Sequence, residues 1–199
     1  MSQHPDHSNL LFTVGHSNQD LDAFVALLVT AGIEAVADVR SIAGSGYSTQ
    51  FDRAPLERAL TEVSIRYVFL GNELGGRPDG DEYYDDTDRV RYDLVAESSA
   101  FLGGIERLLA GANQFRLAMM CSEENPEHCH RRLLVSRVLA RQGVGVRHLR
   151  ADGSIDVEID IAAEETRVQG SLLAGGELTT WRSTRPVSRD GRPRSSSVV

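Results

Sequence analysis

The sequence predicts an α/β domain: a largely parallel sheet of about five strands with helices on both faces, built as a single domain. Short apolar runs alternate along residues 10–149 with segments whose apolar residues recur at helical spacing, an order typical of parallel sheets. The second of these runs, residues 33–39, is apolar without strict alternation, as expected of a strand covered on both faces. A chain of 199 residues with 41% hydrophobic content can bury one full core.

The first part of the chain contains two strands joined by a helix with clear end signals. Residues 10–14 form an apolar strand, and Ser17 or Asn18 can cap the helix that follows. That helix is expected to stop at Gly32, because glycine commonly follows the last helical residue. Residues 33–39 then form a second buried strand.

The later elements continue the same alternation. Pro55 suits the first position of the second helix, because a backbone N–H at that position would have no helical partner. The remaining predicted elements are a strand over 65–70, a long amphipathic helix over 94–109, a strand over 115–121, a helix over 133–141, a strand over 144–149 and an edge strand over 155–161.

The chain divides into three segments. Residues 1–9 are polar, and we expect them to be flexible. Residues 10–161 form the α/β domain. Residues 162–199 end in an Arg- and Ser-rich stretch, and we expect them to form a weakly structured to disordered tail.

The composition excludes several classes of function. All 21 Lys-plus-Arg residues are Arg, so no lysine is present for Schiff-base chemistry, for pyridoxal phosphate or for a phosphate-binding loop. The net charge of −8 argues against a strong surface for double-stranded nucleic acid. No apolar run approaches the ~20 residues needed to cross a membrane. No secretory signal is visible either, so we expect a cytoplasmic protein with two reduced cysteines.

Polar, reactive side chains follow several of the predicted strands. His16 follows the first strand, and Asp38 and Arg40 lie at the end of the second. Glu73 follows the third strand, and Cys121 with Glu123 ends the fourth. The carboxyl ends of parallel strands meet at one edge of the sheet, and ligands of open α/β folds bind there. We therefore expect these residues to share one pocket.

A thiol enzyme is one interpretation of the stretch 119–132, which contains both cysteines. Cys129 lies beside His130 at a predicted helix start, where the helix dipole and positive charge favour a depressed pKa and a usable nucleophile. Cys121 would be a resolving partner, and His16 or His130 would act as the base. The spacing differs from the Cys-x5-Arg of thiol phosphatases, which disfavours that activity.

A metal site is a second interpretation of the same stretch. Cys121, Cys129 and His130, joined by His16 or His128, offer N and S ligands of the kind that bind zinc or iron. The spacing between the cysteines does not match a standard zinc finger, so the signal is unspecific. A small buried hydrophobic residue is the structural alternative for Cys121.

The expected partner is a small anionic ligand. Arginine suits bidentate recognition of phosphate and carboxylate, and the start of a helix attracts anions. For Asp38 and Arg40, an ion pair that only stabilises the fold is the alternative. The residues predicted to bind the ligand are Arg40, Arg131, Asp38, Glu123, Gly15, Gly75 and Gly76.

Several short motifs occur in a fixed order over about residues 11–150. They are Thr13-Val14-Gly15-His16-Ser17, Asp38-Val39-Arg40, Tyr67 with Leu74-Gly75-Gly76, Cys121-x-Glu123 with Cys129-His130-Arg131, and His148. Their combination resembles the family catalogued as domain of unknown function 488. The resemblance implies the α/β fold and this set of motif residues, and it implies no particular activity.

Three hypotheses of function follow from these observations. The first is an enzyme that binds a small anionic, for example nucleotide-like, ligand in a Cys/His/Arg pocket and depends on a thiol. The second is a zinc- or iron-binding domain that uses Cys121, Cys129 and His130 as ligands. The third is a non-catalytic module that binds a ligand without converting it.

Overall fold

A computed structural model describes residues 10–44, 47–158 and 181–188, and within them a six-stranded sheet. Its order is β3-β2-β4-β1-β5-β6, with β6 antiparallel to β5 and all other pairs parallel. The strands are β1 (Leu10–Gly15), β2 (Ala35–Asp38), β3 (Arg66–Phe69), β4 (Leu117–Cys121), β5 (Gly145–Leu149) and β6 (Ile155–Val157). The predicted α/β fold is confirmed, and the sixth strand lies where an edge strand was expected.

Helices cover both faces of the sheet. One face packs against α1 (Leu21–Thr30) and α2 (Arg53–Glu62), whose inward side chains include Phe24, Leu28, Leu56 and Leu60. The other face packs against α5 (Ser99–Ala112), the π-helix Arg131–Ser136 and α6 (Arg137–Arg141). Two short helices, α3 (Gly71–Leu74) and α4 (Tyr92–Val95), precede α5.

Three predicted helix ends are wrong in detail. The side chain of Asp20, and neither of the two residues predicted from sequence, caps α1 by accepting hydrogen bonds from the backbone of Asp22 and Ala23. Pro55 is the third residue of α2, because the helix begins at residue 53. The long helix expected over 94–109 is two helices, since the Ser98 side chain accepts from the backbone of Phe101 and starts a new one.

The strand order creates a crevice between β1 and β4. The chain leaves β1 through α1 toward β2 on one side, and it leaves β4 through α6 toward β5 on the other side. β1 and β4 are neighbours, and their registers place Gly15 beside Cys121 at the carboxyl ends. Ligands of open α/β sheets bind at such a switch point.

Residues 181–188, part of the predicted disordered tail, are held against the domain. The Trp181 Nε1–H donates to the Leu133 carbonyl at 2.6 Å, and the backbone N–H of Ser183 donates to Val90 at 2.9 Å. These eight residues make specific contacts with the domain, although composition predicts a weakly structured to disordered tail. The predicted flexible segment 1–9 and the rest of the predicted tail lie outside the described residues. Within the described ranges, no helix combines the length and apolar character needed to span a membrane.

Candidate metal centre

The two cysteines and His130 meet at the carboxyl end of β4. Cys121 is the last residue of that strand, and Cys129 follows a single 3-10 turn, Pro126–His128. The Nδ1 of His130 lies 3.6 Å from the Cys121 Sγ and 4.0 Å from the Cys129 Sγ. All three ligand atoms lie within 4.8 Å of one another, a spacing that one metal ion can bridge.

Arg131 holds the loop between the two cysteines in place. This side chain is fully buried, and its Nε donates to the Thr13 Oγ1 at 3.3 Å. Its two terminal nitrogens donate to the backbone carbonyls of Glu123 and Glu124. Arg131 therefore fixes the loop that returns the chain from Cys121 to Cys129.

A glycine at position 15 allows this loop to approach β1. A Cβ atom at Gly15 would collide with the backbone carbonyl of Glu123, which no side-chain movement could relieve. The backbone N–H of His16 also donates to the Cys121 carbonyl at 3.0 Å. Gly15 is thus explained by close backbone packing, and its predicted ligand-binding role stays a prediction.

A hydrogen bond to the backbone fixes the tautomer of neutral His130. Its Nε2 lies 2.9 Å from the Val39 carbonyl oxygen, which can only accept, so Nε2 carries the proton. The lone pair of Nδ1 then faces the two sulfur atoms. Histidines that bind metals are typically oriented in this way, by donating the other ring N–H to a carbonyl or carboxylate.

The Gly75-Gly76 pair packs directly on this arrangement. A Cβ atom at Gly76 would lie 2.8 Å from the His130 Nδ1, so a side chain at that position would disturb the imidazole. A Cβ atom at Gly75 would lie 2.6 Å from the Ser41 Oγ, and it would also meet a backbone carbonyl. Gly76 therefore allows close packing against His130, and Gly75 allows close packing against Ser41 and the Gly71 carbonyl, while ligand binding by the two glycines stays a prediction.

The two thiols have opposite pKa shifts. The hydrogen bond with Cys129 lowers the pKa of Cys121, despite its burial. Burial, followed by the interaction with Cys121, raises the pKa of Cys129 well above its usual value. Burial alone would lower the pKa of His130, but the interactions with Cys129, the Val39 carbonyl and Glu123 together outweigh it and raise the pKa. The depressed pKa predicted for Cys129 is therefore wrong, because desolvation dominates at this buried position.

Asp38, Arg40 and His16 form a second buried cluster at the same strand ends. Arg40 donates through Nε and Nη2 to the Asp38 carboxylate at 2.9 and 2.7 Å, and Tyr67 donates to the same carboxylate at 2.8 Å. Both members of the ion pair are buried. The Arg40 Nη1 lies 3.1 Å from the His16 Nε2. These contacts match the structural ion pair that was the alternative to ligand binding.

His16 is held as a neutral imidazole. Its Nδ1 donates to the Ser17 carbonyl at 2.6 Å, its Nε2 faces the Arg40 guanidinium, and its ring stacks on Phe51 with centroids 4.2 Å apart. Burial, with a further contribution from Arg40, lowers the pKa of His16 to about 4. Both ring nitrogens have protein partners, so the geometry does not favour the predicted role as a general base.

This burial makes the stability of the protein depend on pH. The folded pKa of about 4 lies below the usual value of 6.5, so between these values the unfolded chain binds the proton more readily. Neutral His16 contributes about 3 kcal/mol to the free energy of unfolding above pH 6.5, and this contribution is lost as the pH falls toward 4. We expect the free energy of unfolding, measured with urea, to fall between pH 7 and pH 4 in the unmodified protein. In His16→Asn this fall should be smaller by about 3 kcal/mol. Equal losses in both proteins would contradict the assignment.

The remaining predicted site residue, Glu123, keeps its side chain exposed next to the cluster. Its charge raises the pKa of both Cys121 and His130, which places the carboxylate within electrostatic reach of them. Only its backbone carbonyl accepts from Arg131. The exposed Glu123 carboxylate therefore lies on the solvent side of the cluster.

A buried hydrogen-bond network that joins β1 to β5 was not predicted from the sequence. The Thr13 Oγ1 lies 2.7 Å from the His148 Nδ1, and the His148 Nε2 lies 2.6 Å from the Glu158 carboxylate, which Arg132 also approaches at 3.3 Å. Thr13 and His148 are fully buried, so this network positions Arg131 through Thr13 and has no access to a substrate. Thr13 and His148, which both belong to the motifs quoted from the sequence, were the sequence signals for it.

The fold and the site define a class: an open α/β domain with a Cys/Cys/His cluster at its topological switch point. The chain belongs to the family described as Domain of unknown function DUF488, whose family model matches residues 20–138. No curated protein and no solved structure matches the chain.

Proposed function

We propose that the protein is a metal-dependent enzyme whose centre is zinc or iron(II) bound by Cys121, Cys129 and His130. The observation that carries this proposal is the orientation of His130, whose Nε2–H donates to Val39 and whose Nδ1 faces both thiols. A histidine whose backbone hydrogen bond turns the lone pair of its other ring nitrogen toward two thiols has the arrangement that metal-binding histidines typically have.

The number of ligands favours chemistry at the metal. Structural zinc sites usually have four protein ligands, whereas catalytic sites have three and leave one position for water or substrate. The cluster offers three ligand atoms among the described residues. A metal ion there would act as a Lewis acid and would lower the pKa of bound water.

Other groups at the site fit an enzyme that acts on a small anionic ligand. The Glu123 carboxylate, exposed beside Cys121 and His130, would accept a proton from metal-bound water. The metal would supply most of the positive charge that attracts an anion. Arg40 and Arg131 already donate hydrogen bonds to protein acceptors, so they would stabilise the residues around the site.

Metal content per chain tests this proposal, measured by elemental analysis after purification without a chelator. We expect close to one zinc or iron ion per chain in the unmodified protein and much less than one in His130→Ala. His128→Ala is the matched control, because His128 is exposed two residues away and is outside the cluster. Equal metal content in the two histidine variants would contradict the proposal.

A thiol-dependent enzyme is the second candidate, supported by the lowered pKa of Cys121 beside the second thiol. In the absence of metal, the thiolate of Cys121 would be the nucleophile, and Cys129 would donate a hydrogen bond to it. Alkylation by iodoacetamide near neutral pH would then label Cys121 before Cys129. Slow labelling of both residues in the metal-free protein would contradict this candidate.

A further inference from the structure

The two cysteines lie close enough to each other to be joined by a disulfide bond. Both are free thiols, and the chain contains no other cysteine, so an intramolecular disulfide can form only between these two. Their sulfur atoms lie within 4.8 Å of each other. A disulfide brings its sulfur atoms to about 2 Å, so less than about 3 Å of approach remains.

The backbone around both sulfur atoms is held in place by hydrogen bonds. The Cys121 carbonyl accepts from the backbone N–H of His16 at 3.0 Å, and the backbone N–H of Cys129 donates to the Pro126 carbonyl at 3.1 Å. Arg131 binds two backbone carbonyls of the loop that joins the cysteines. The two thiols are therefore already positioned for each other, and little conformational entropy opposes a reaction between them.

Cys121 is the thiol that a small oxidant reaches first. Its side chain is 6% exposed, whereas that of Cys129 is 1% exposed. Cys121 is also followed directly by two exposed residues, Ser122 and Glu123, at the solvent side of the cluster. Cys129 lies behind it as the partner thiol.

Oxidation of this pair by hydrogen peroxide takes two balanced steps. The thiolate of Cys121 attacks one peroxide oxygen, so that an S–O bond forms, the O–O bond breaks and hydroxide leaves, which is protonated to water. The sulfur of Cys129 then gives up its proton and attacks the Cys121 sulfur, so that the S–S bond forms, the S–O bond breaks and a second water leaves. The two sulfur atoms together lose two electrons, and the peroxide gains them.

We propose that Cys121 and Cys129 are a site of reversible oxidation, at which a peroxide converts both thiols to one disulfide and thereby abolishes metal binding. The loss of metal rests on the proposed metal centre, whereas the disulfide itself does not. Because cysteine binds metals as the thiolate, the disulfide removes two of the three ligands and leaves only His130. Reduction by a dithiol restores both thiols and the site.

Peroxide titration of the full-length protein, reduced and then loaded with zinc, tests the inference. The intact mass, the number of free thiols after denaturation and the zinc released to a chromogenic chelator are measured on the same samples. We expect the mass to fall by about two units, the two thiol hydrogens, and both thiols to disappear together. Zinc should be released in proportion, about one ion per disulfide, and dithiothreitol should restore both thiols and zinc binding.

Two variants serve as controls. Cys129→Ser keeps the more accessible thiol but lacks its partner, so peroxide should add oxygen at Cys121 and form no intramolecular disulfide. His130→Ala keeps both thiols, and it should form the disulfide although it lacks one metal ligand. This variant separates the oxidation of the thiols from the binding of metal.

The other outcomes contradict one of the two proposals. Addition of oxygen to the unmodified protein without a disulfide overturns the inference, and so does a disulfide form that keeps its zinc. If the reduced protein takes up no zinc, the proposed metal centre fails, and the change in mass then decides whether the oxidation site stands.

Discussion

Removal of the metal should lower the free energy of unfolding by about 4 kcal/mol when the free metal is a thousand times its dissociation constant. The three ligands come from the end of β4, a loop and the start of a helix, so the unfolded chain does not hold them together. For a chain of this size the melting temperature should fall by about 10 °C. Calorimetry with and without a chelator measures this change.

The variant Cys129→Ser provides the control for this experiment. It should melt at the same temperature with and without chelator, because it lacks one of the two thiolate ligands. His128→Ala should respond to chelator as the unmodified protein does, since His128 lies outside the cluster. A chelator response that survives in Cys129→Ser would contradict the assigned ligands.

Asp38→Ala should destabilise the protein by about 3–5 kcal/mol, because it leaves the buried Arg40 guanidinium without its counter-ion. The same change removes the acceptor of the Tyr67 hydroxyl. Urea unfolding at pH 7 measures the loss.

A double-mutant cycle distinguishes the ion pair from a general packing effect. Arg40→Met alone leaves the Asp38 carboxylate buried and should also be costly, whereas the double variant Asp38→Ala/Arg40→Met should lose much less than the sum of the two. Tyr67→Phe removes one hydrogen bond to Asp38 and should cost about 1 kcal/mol. Additive losses for Asp38 and Arg40 would mean that the two side chains do not stabilise each other.

The centre of the sheet could be predicted because β1, β2 and β4 are short, largely apolar runs between polar segments. Strands such as Leu117–Cys121 are buried on both faces, and their composition reflects that burial directly. The break between α4 and α5 was missed because the apolar spacing continues through it. There, a local hydrogen bond to the Ser98 side chain overrides the pattern.

The C-terminal segment shows where composition fails. Residues 181–188 lie in a stretch whose Arg and Ser content predicts disorder, yet Trp181 docks between Tyr92 and Leu133. The ring also lies near the guanidinium groups of Arg137 and Arg141, each 5.0 Å from its centroid. One aromatic residue in a polar segment was enough to anchor it, and composition averages over such a residue.

At the site, the sequence identified the Cys121, Cys129 and His130 set but not its geometry. Strand ends bring side chains together by topology, and this can be read from the order of the elements. The acceptor for His130 is the backbone carbonyl of Val39, for which sequence gives no signal. Arg131 was predicted to hold an anion, yet its described partners are a hydroxyl and two backbone carbonyls, which only the tertiary structure reveals.

A cobalt(II) titration of the unmodified protein tests the proposed metal centre most directly. Two thiolates and one imidazole should give strong thiolate-to-cobalt charge-transfer absorption and the ligand-field bands of a tetrahedral site, saturating at one cobalt per chain. The result that would contradict the proposal is cobalt uptake without charge-transfer absorption, or no saturation near one equivalent.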